Sequence, residues 1–217
     1  MPDLNFKVER AEPVSYAASP TLQFRLNIAN NRDSQTIIHA VALRCQIRIE
    51  PARRKYAPAE REKLLDLYGQ PERWGQTLQT MLWENTSIVV PPFAGETTAE
   101  LPVHCSSDFN LAAAKYFYAL ENGEAPLCLL FSGTIFYVGK DGALQVEQIS
   151  WEKEAGFRLP ISVWKQMMEM YYPGSAWLIL QRSVFDRLAL YKSCNCLPTW
   201  EAALDRLMQV SEAEVET

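Results

Sequence analysis

Two sets of side chains have residue types and spacings that suit chemistry or binding, and the first is a pair of thiols. Cys194 and Cys196 are separated by a single residue near the C-terminus. Two thiolates at this spacing can hold a soft metal such as zinc or copper(I), or form a redox pair. A closed zinc site needs two more ligands, but His104, Cys105 and Cys128 stand at no ligand spacing from the pair. Cys194 and Cys196 are therefore weak metal candidates, and two small residues that close a helical turn are the preferred interpretation.

The second set is a run of basic residues between Arg44 and Lys63, where seven cations accompany only three acids. The functional interpretation of this run is a patch for an acidic partner, because opposite charges attract and orient associating proteins. The partner-binding candidates are Arg48, Arg53, Arg54 and Lys55. A solvated strand edge and loop is the preferred interpretation of the run as a whole.

Signatures of catalysis are absent from the sequence. There is no GxGxxG, GxxxxGK[ST], GxSxG or HExxH motif, and His39 and His104 are the two histidines. Neighbours on a strand point to opposite faces, so His104 and Cys105 are poorly placed to act as base and nucleophile. We therefore predict that the chain is not an enzyme, that it has no catalytic residues and that it binds no cofactor.

Composition limits the possible partners and compartments. The 217 residues are 48% hydrophobic and carry a net charge of −5, which disfavours binding to a phosphate backbone. The N-terminus lacks the pattern of a secretory signal, and no apolar run is long enough to span a bilayer. We predict a cytoplasmic protein with five free cysteines, a protein partner and no nucleic-acid partner. The sequence gives no signal for an oligomeric state.

Periodicity predicts the elements that must position these side chains. Alternating apolar residues over 21–29 and 37–50 predict two antiparallel strands, each with one buried and one solvated face. Further strands are predicted over 82–90, 97–105, 127–138 and 143–151. Pro58, followed by an apolar stripe that ends at Gly69, predicts an inserted helix over 58–68, and residues 71–80 are predicted to be irregular.

Four segments in the second half of the sequence have helical periodicity. Helices are predicted over 108–120, 160–172, 183–192 and 199–208, with a short strand over 176–180. The predicted caps are Asp108, a box of Ser183 with Asp186, and Thr199. We predict an α+β fold, in which a mostly antiparallel, β-sandwich-like part over 1–159 packs against a helical part over 160–210. The whole chain, 1–217, is predicted to form a single compact unit with a frayed tail over 211–217.

Four segments carry a resemblance to a known bacterial family. They are HAVALRCQIRIEPARRKY (39–56), LLDLYGQPERWGQTLQTMLW (64–83), AAAKYFYALENGEAPLCLLFSGTIFY (112–137) and LPTWEAAL (197–204). The chain resembles the family called domain of unknown function 6084 from about residue 4 to residue 208. The resemblance implies no established activity or catalytic residues. It implies an accessory role, since genes of this family often lie beside genes for nickel–iron hydrogenases.

Together these features predict a non-enzymatic accessory or interaction protein that assists assembly of a hydrogenase-type metalloenzyme. The alternative is a protein that binds a small ligand or a soft metal, in the interior of the sandwich or at the Cys194/Cys196 loop.

Overall fold

The structure is a computed structural model that describes residues 1–32, 34–105, 111–139, 141–175 and 180–215. The chain divides into two compact units, Met1–Ser175 and Ala176–Thr217. The first unit contains all the described strands, and the second contains two described helices. The predicted association of the whole chain into one compact unit stays a prediction.

The described strands form two antiparallel sheets in the first unit. The strands are β1 (Leu4–Pro13), β2 (Thr21–Asn30), β3 (Ile37–Ile49), β4 (Met81–Val90), β5 (Phe93–Ala94), β6 (Glu96–His104), β7 (Glu124–Val138), β8 (Leu144–Gln148) and β9 (Glu154–Pro160). The small sheet has the order β1-β2-β6. The large sheet has the order β4-β3-β7-β8, with β5 also paired to β3 and β9 also paired to β7.

The predicted alternation determines which side of each sheet is buried. One face of β2 and one face of β3 are almost completely buried, and the residues between are more exposed. The buried residues are Leu22, Phe24, Leu26, Ile28, Val41, Leu43, Cys45, Ile47 and Ile49. Phe6 of β1 stacks on Phe131 of β7 with 4.3 Å between ring centroids, so the two sheets share one core. The predicted α+β class with antiparallel sheets is confirmed.

The segment between β3 and β4 differs from its prediction. The helix predicted over 58–68 is divided into α1 (Pro58–Lys63) and α2 (Leu65–Tyr68) at Leu64, where the backbone departs from regular helical geometry (φ −91°, ψ −3°) and the side chain is completely buried. Residues 71–80, predicted to be irregular, contain a 3₁₀ turn followed by α3 (Trp74–Thr77). Buried Trp74, whose Nε1 donates a hydrogen bond to the Gly69 carbonyl at 2.9 Å, holds this turn in place.

Two helices of the first unit confirm their predictions. α4 (Leu111–Ala119) precedes β7, and α5 (Ile161–Tyr171) follows β9. Trp164 of α5 stacks on Phe117 of α4, with 5.4 Å between ring centroids. The predicted cap Asp108 and residues 176–179 of the predicted short strand lie outside the described residues.

The second unit contains α6 (Arg182–Cys194) and α7 (Trp200–Val215). Thr199 caps α7 as predicted, since its hydroxyl accepts a hydrogen bond from the Ala202 amide at 3.1 Å. The predicted Ser183 capping box is wrong, because α6 begins one residue earlier and its N-cap residue makes no side-chain bond. α7 extends to Val215, beyond the predicted helix end at residue 208, and the predicted fraying of 211–217 stays a prediction. None of the described helices combines the length and hydropathy that crossing a membrane requires.

Candidate partner-binding surface

The outward side of the large sheet, which we call the outer face, lies opposite the core and brings part of the basic run into a defined pattern. Pairing across β4, β3 and β7 places side chains in rows, because directly paired residues point to the same side. From one end of β3 to the other, the rows are Val89–Ala42–Thr134, Ser87–Arg44–Ser132, Asn85–Gln46–Leu130 and Leu82–Arg48–Cys128. The outer face therefore presents two arginines on the central strand, with hydroxyl, amide and apolar side chains on either side.

The end of the outer face beside Ala42 is apolar. Phe136 pairs with Ala40 and with Val146 of β8, and Val138 pairs with Leu144. Val89, Val146 and Leu144 keep 73%, 56% and 63% of their surface exposed. The apolar residues at this end, which we call the apolar patch, are Ala40, Ala42, Val89, Phe136, Val138, Leu144 and Val146. Exposed apolar patches on a protein surface typically mark an interaction site.

A loop between β8 and β9 carries a tryptophan beside the Arg44 row. The Ile149 amide bonds to the Gly133 carbonyl at 2.9 Å, and the Phe131 amide bonds to the Lys153 carbonyl at 2.9 Å. These two bonds fix both ends of the loop to β7 on either side of Ser132. Trp151 lies between them and remains 90% exposed. The loop is thus anchored, while its largest side chain lies in solvent.

Hydrogen bonds order the polar part of the outer face. The Arg48 Nε donates to the Gln46 Oε1 at 2.8 Å, and the Gln46 Nε2 donates to the Asn85 Oδ1 at 3.3 Å. Arg44 forms no ion pair with any side chain that the structure describes. A shallow depression of about 460 Å³ lies here, and its lining includes Arg44, Gln46 and Trp151. The arrangement suits a partner that brings carboxylates to the arginines and apolar groups to Trp151 and the apolar patch.

The structure separates the four predicted partner-binding candidates. Arg48 lies on the outer face, and Lys55 is exposed in the segment after β3. Arg53 is exposed and pairs with Glu50 at 3.0 Å. Arg54 is different, because only 9% of its side chain is exposed and its guanidinium pairs with Glu60 at 2.6 Å. Arg54 is therefore not part of a binding surface.

Arg54 and Glu60 instead form a buried junction between the segment after β3 and the turn before β7. The Arg54 guanidinium donates to the carbonyls of Asn122 and Glu124, each at 2.7 Å. The Glu60 carboxylate accepts the amides of Ala57 at 3.0 Å and Glu121 at 2.9 Å. Burial by itself raises the pKa of Glu60, but these two amide bonds and the Arg54 charge outweigh it and hold the pKa below its ordinary value. The junction has a structural role.

Three of the five thiols lie in surroundings that disfavour the thiolate. Burial raises the pKa of Cys45 and of Cys105 to about 12, which keeps both thiols protonated at neutral pH. Burial and the neighbouring Glu154 carboxylate also raise the pKa of Cys128. The His104 ring lies 3.2 Å from the Thr21 hydroxyl, while the Cys105 Sγ contacts the Val103 carbonyl. Neither of these contacts joins the His104 ring to the Cys105 thiol.

The predicted metal candidates Cys194 and Cys196 are exposed at the end of α6, and all five cysteines are free. Cys196 has a φ of 52°, and the Leu197 amide bonds to the Lys192 carbonyl at 3.0 Å. This is the geometry of a helix C-terminus, where a left-handed residue satisfies the last carbonyls. No cluster of three or more His, Cys, Asp or Glu side chains suited to a metal ion occurs within the part of the chain that the structure describes.

Sequence reasoning missed most of the outer face. Arg44 belongs to the basic run but is not among the four predicted candidates, and no binding role is predicted for the apolar side chains of β8. The unusual alternation of β8 was a visible signal, because Leu144 and Val146 point outward where polar residues are normal. The position of Trp151 beside Arg44 depends on the register between β3 and β7, which no short-range pattern specifies.

Known structures offer only weak similarity. A β-glucosidase from Kluyveromyces marxianus matches with 10% identity and a TM-score of 0.26, over 73% of this chain and 15% of that one. A Bordetella pertussis protein described as ApaA matches with 15% identity and a TM-score of 0.23, over 73% of this chain and 93% of its own. A protein from Archaeoglobus fulgidus matches with 15% identity and a TM-score of 0.25, over 70% and 96% of the respective chains. TM-scores this low do not establish a shared fold or a shared function.

Sequence families are more informative. No curated protein matches the chain. The family described as "Family of unknown function (DUF6084)" matches residues 1–216, which confirms the resemblance inferred from the four segments. The chain therefore belongs to the DUF6084 family.

Proposed function

We propose that this protein is a non-enzymatic accessory protein that acts in the cytoplasm and binds an acidic partner protein through the outer face. The observation that carries the proposal is the combination of Arg44, Arg48 and Trp151 with an exposed apolar patch on one surface. Arginine and tryptophan are enriched among residues that dominate binding energy at protein interfaces. Covering an aromatic side chain of this size removes roughly 150–250 Å² from water, at about 25 cal/mol per Å².

Three of the five thiols support the non-enzymatic part of the proposal. Because the pKa values of Cys45, Cys105 and Cys128 are all raised, none of these thiols is favoured as a thiolate nucleophile. Resemblance to the family suggests the partner class, and we propose that the protein assists assembly of a metalloenzyme of the nickel–iron hydrogenase type.

Charge reversal on the outer face should disrupt binding to the partner. The test variant is Arg44→Glu/Arg48→Glu, and its matched control is Lys7→Glu/Arg73→Glu, which changes the net charge equally at two exposed positions elsewhere. Each tagged, full-length chain is used to capture proteins from the cells that encode it. We expect the wild type and the control to retain the same acidic partner, and the outer-face variant to lose at least 10-fold of it.

The association rate between each variant and the purified partner is then measured at low and at high salt. Reversal should slow association strongly at low salt and only weakly at high salt, since exposed charges are screened. Stability of the variant should stay within about 1 kcal/mol of the wild type, since the two arginines are exposed. Unchanged binding of the partner to the reversed outer face would contradict the proposal. Capture of a partner unrelated to hydrogenase assembly would contradict the proposed class.

A further inference from the structure

We infer that the occupant of the outer face is an acidic amphipathic helix of the partner protein, lying along β3. This inference rests on the proposed function and defines the structural element that the partner supplies. Three features of the outer face carry it: the polarity of β8, the lack of backbone partners on the outer face, and the spacing of the two arginines.

The polarity of β8 shows that the apolar patch extends beyond the central strands. Val146 and Leu144 point to the outer side, whereas Gln145 points inward and accepts a hydrogen bond from the Tyr137 hydroxyl at 2.9 Å. An edge strand that faces water normally places its apolar residues inward. Here the outward position of Leu144 and Val146 joins them to Phe136 and Val138 in one surface. The surface is several strands wide and suits an apolar stripe on an incoming element.

The middle of a sheet face offers no backbone groups to an incoming chain. The amides and carbonyls of β3 and β7 already bond to each other along most of their length. An extended peptide laid across Ala42 and Phe136 would bring its own amides and carbonyls against apolar side chains without partners. Such unpaired groups are costly to bury. A helix satisfies its backbone internally, so it is the element that suits this surface.

The two arginines set the spacing of the acids on this helix. Arg44 and Arg48 are four residues apart on one strand, which is about 13 Å at about 3.3 Å per residue. Carboxylates seven or eight residues apart on a helix are separated by about 10.5–12 Å and share one side of it. Arginine side chains are long enough to span the remaining distance. A helix with two acids at this spacing therefore reaches both guanidiniums.

The row before Arg44 adds an apolar position to this pattern. Ala42 and Val89 lie two residues along the strand, about 6.6 Å from the Arg44 row. That distance equals about one helical turn. On the partner helix, the apolar residue that contacts Ala42 and Val89 therefore precedes the first acid by about four residues. None of the four rows of the outer face contains a carboxylate. The nearest acids among the described residues are Glu154, opposite Leu130 and bonded to Cys128, and Glu50, which lies just beyond Arg48 and pairs with Arg53. Charge complementarity along β3 thus favours an acidic helix.

Two synthetic helical peptides test the inference with the full-length protein. The first has leucines on one stripe, a glutamate four residues after the first leucine and a second glutamate seven residues later, with a side-chain staple on the opposite face. The second has the same composition and staple, with the two glutamates moved to the opposite face. Fluorescence anisotropy measures the Kd of each labelled peptide. We expect the first peptide to bind at least 10-fold more tightly than the second.

Variants of the protein locate the binding site. Arg44→Gln/Arg48→Gln and Val146→Asp should each weaken binding of the first peptide at least 10-fold, and Lys7→Gln/Arg73→Gln should change it less than 2-fold. If both peptides bound with equal affinity, or if these variants did not change the binding, the inference that a helix occupies the outer face would be overturned. Capture of an acidic protein partner would not be affected by that result, so the proposed function would still stand. Sedimentation velocity provides the remaining outcome. A dimer that Arg44→Gln/Arg48→Gln dissolves would make a second copy the occupant and would also overturn the inference.

Discussion

Replacing Glu60 with glutamine should lower the free energy of unfolding by about 3–5 kcal/mol, because it breaks a buried ion pair from one side. Both oxygens of the Glu60 carboxylate accept hydrogen bonds, and only 3% of the side chain is exposed. A glutamine side chain would place its NH₂ group, which is a donor, against a backbone N–H or against the Arg54 guanidinium. Two donors would then face each other where a hydrogen bond is now made. The loss is a large part of the roughly 5–15 kcal/mol that stabilises a typical domain.

Urea denaturation measures this effect, and Glu62→Gln is the matched control, since Glu62 is exposed on the same short helix. The control should stay within about 0.5 kcal/mol of the wild type. A Glu60→Gln protein within 1 kcal/mol of the wild type would show that the junction contributes little.

The pH dependence gives the same prediction an independent readout. The pKa of Glu60 in the folded protein lies below its ordinary value of 4.5. In the acid range the unfolded chain therefore binds a proton at residue 60 that the folded chain does not bind. The stabilisation is complete above about pH 4.5 and is lost as the pH falls through the lower folded pKa. Wild-type protein should lose this contribution in acid, and Glu60→Gln should not.

Gly133→Ala should cost on the order of 3 kcal/mol of stability, through backbone strain and displacement of β7 from β3. Gly133 has a φ of 139°, which side chains rarely allow, and a Cβ there would overlap the carbonyl oxygen of Ala42. The obstacle is backbone in the middle of the sheet, so it cannot move aside as a flexible side chain would. The Gly133 carbonyl also anchors the Trp151 loop.

Gly156→Ala is the matched control within the same sheet. Gly156 lies in β9, opposite Cys128, and a Cβ there would meet nothing within 4 Å. We expect the control to unfold within about 0.5 kcal/mol of the wild type. If Gly133→Ala and Gly156→Ala had the same urea midpoint, the close approach of β7 to β3 would be contradicted.

Local patterns were sufficient to predict much of the fold. Period-two alternation identified β2 and β3 and the buried face of each, because one face of each strand packs on the core. The helical stripe after Pro160 identified α5, whose Trp164 and Met167 are buried. These features depend on neighbouring residues, so the sequence carries them directly.

Long-range contacts explain where prediction failed. Arg54 looked like an exposed member of a basic run, but its partners include carbonyls about 70 residues away at Asn122 and Glu124. No local pattern indicates such a pairing. The predicted helix divides at Leu64, where ψ is −3° and the side chain belongs to the buried core. The outer face likewise arises from strand register, which brings Arg44, Ser132 and the Trp151 loop together from distant parts of the sequence.

Photo-crosslinking at residue 151 tests the central claim most directly, because it reports what covers the outer face inside the cell. Trp151 is replaced by a benzoyl-phenylalanine in the full-length chain, and Tyr16, which is fully exposed outside the outer face, receives the same group as a control. If the outer face binds an acidic partner protein, irradiation should produce one dominant adduct from position 151 to an acidic protein and none from position 16. No adduct at position 151, or the same adduct at both positions, would contradict the account.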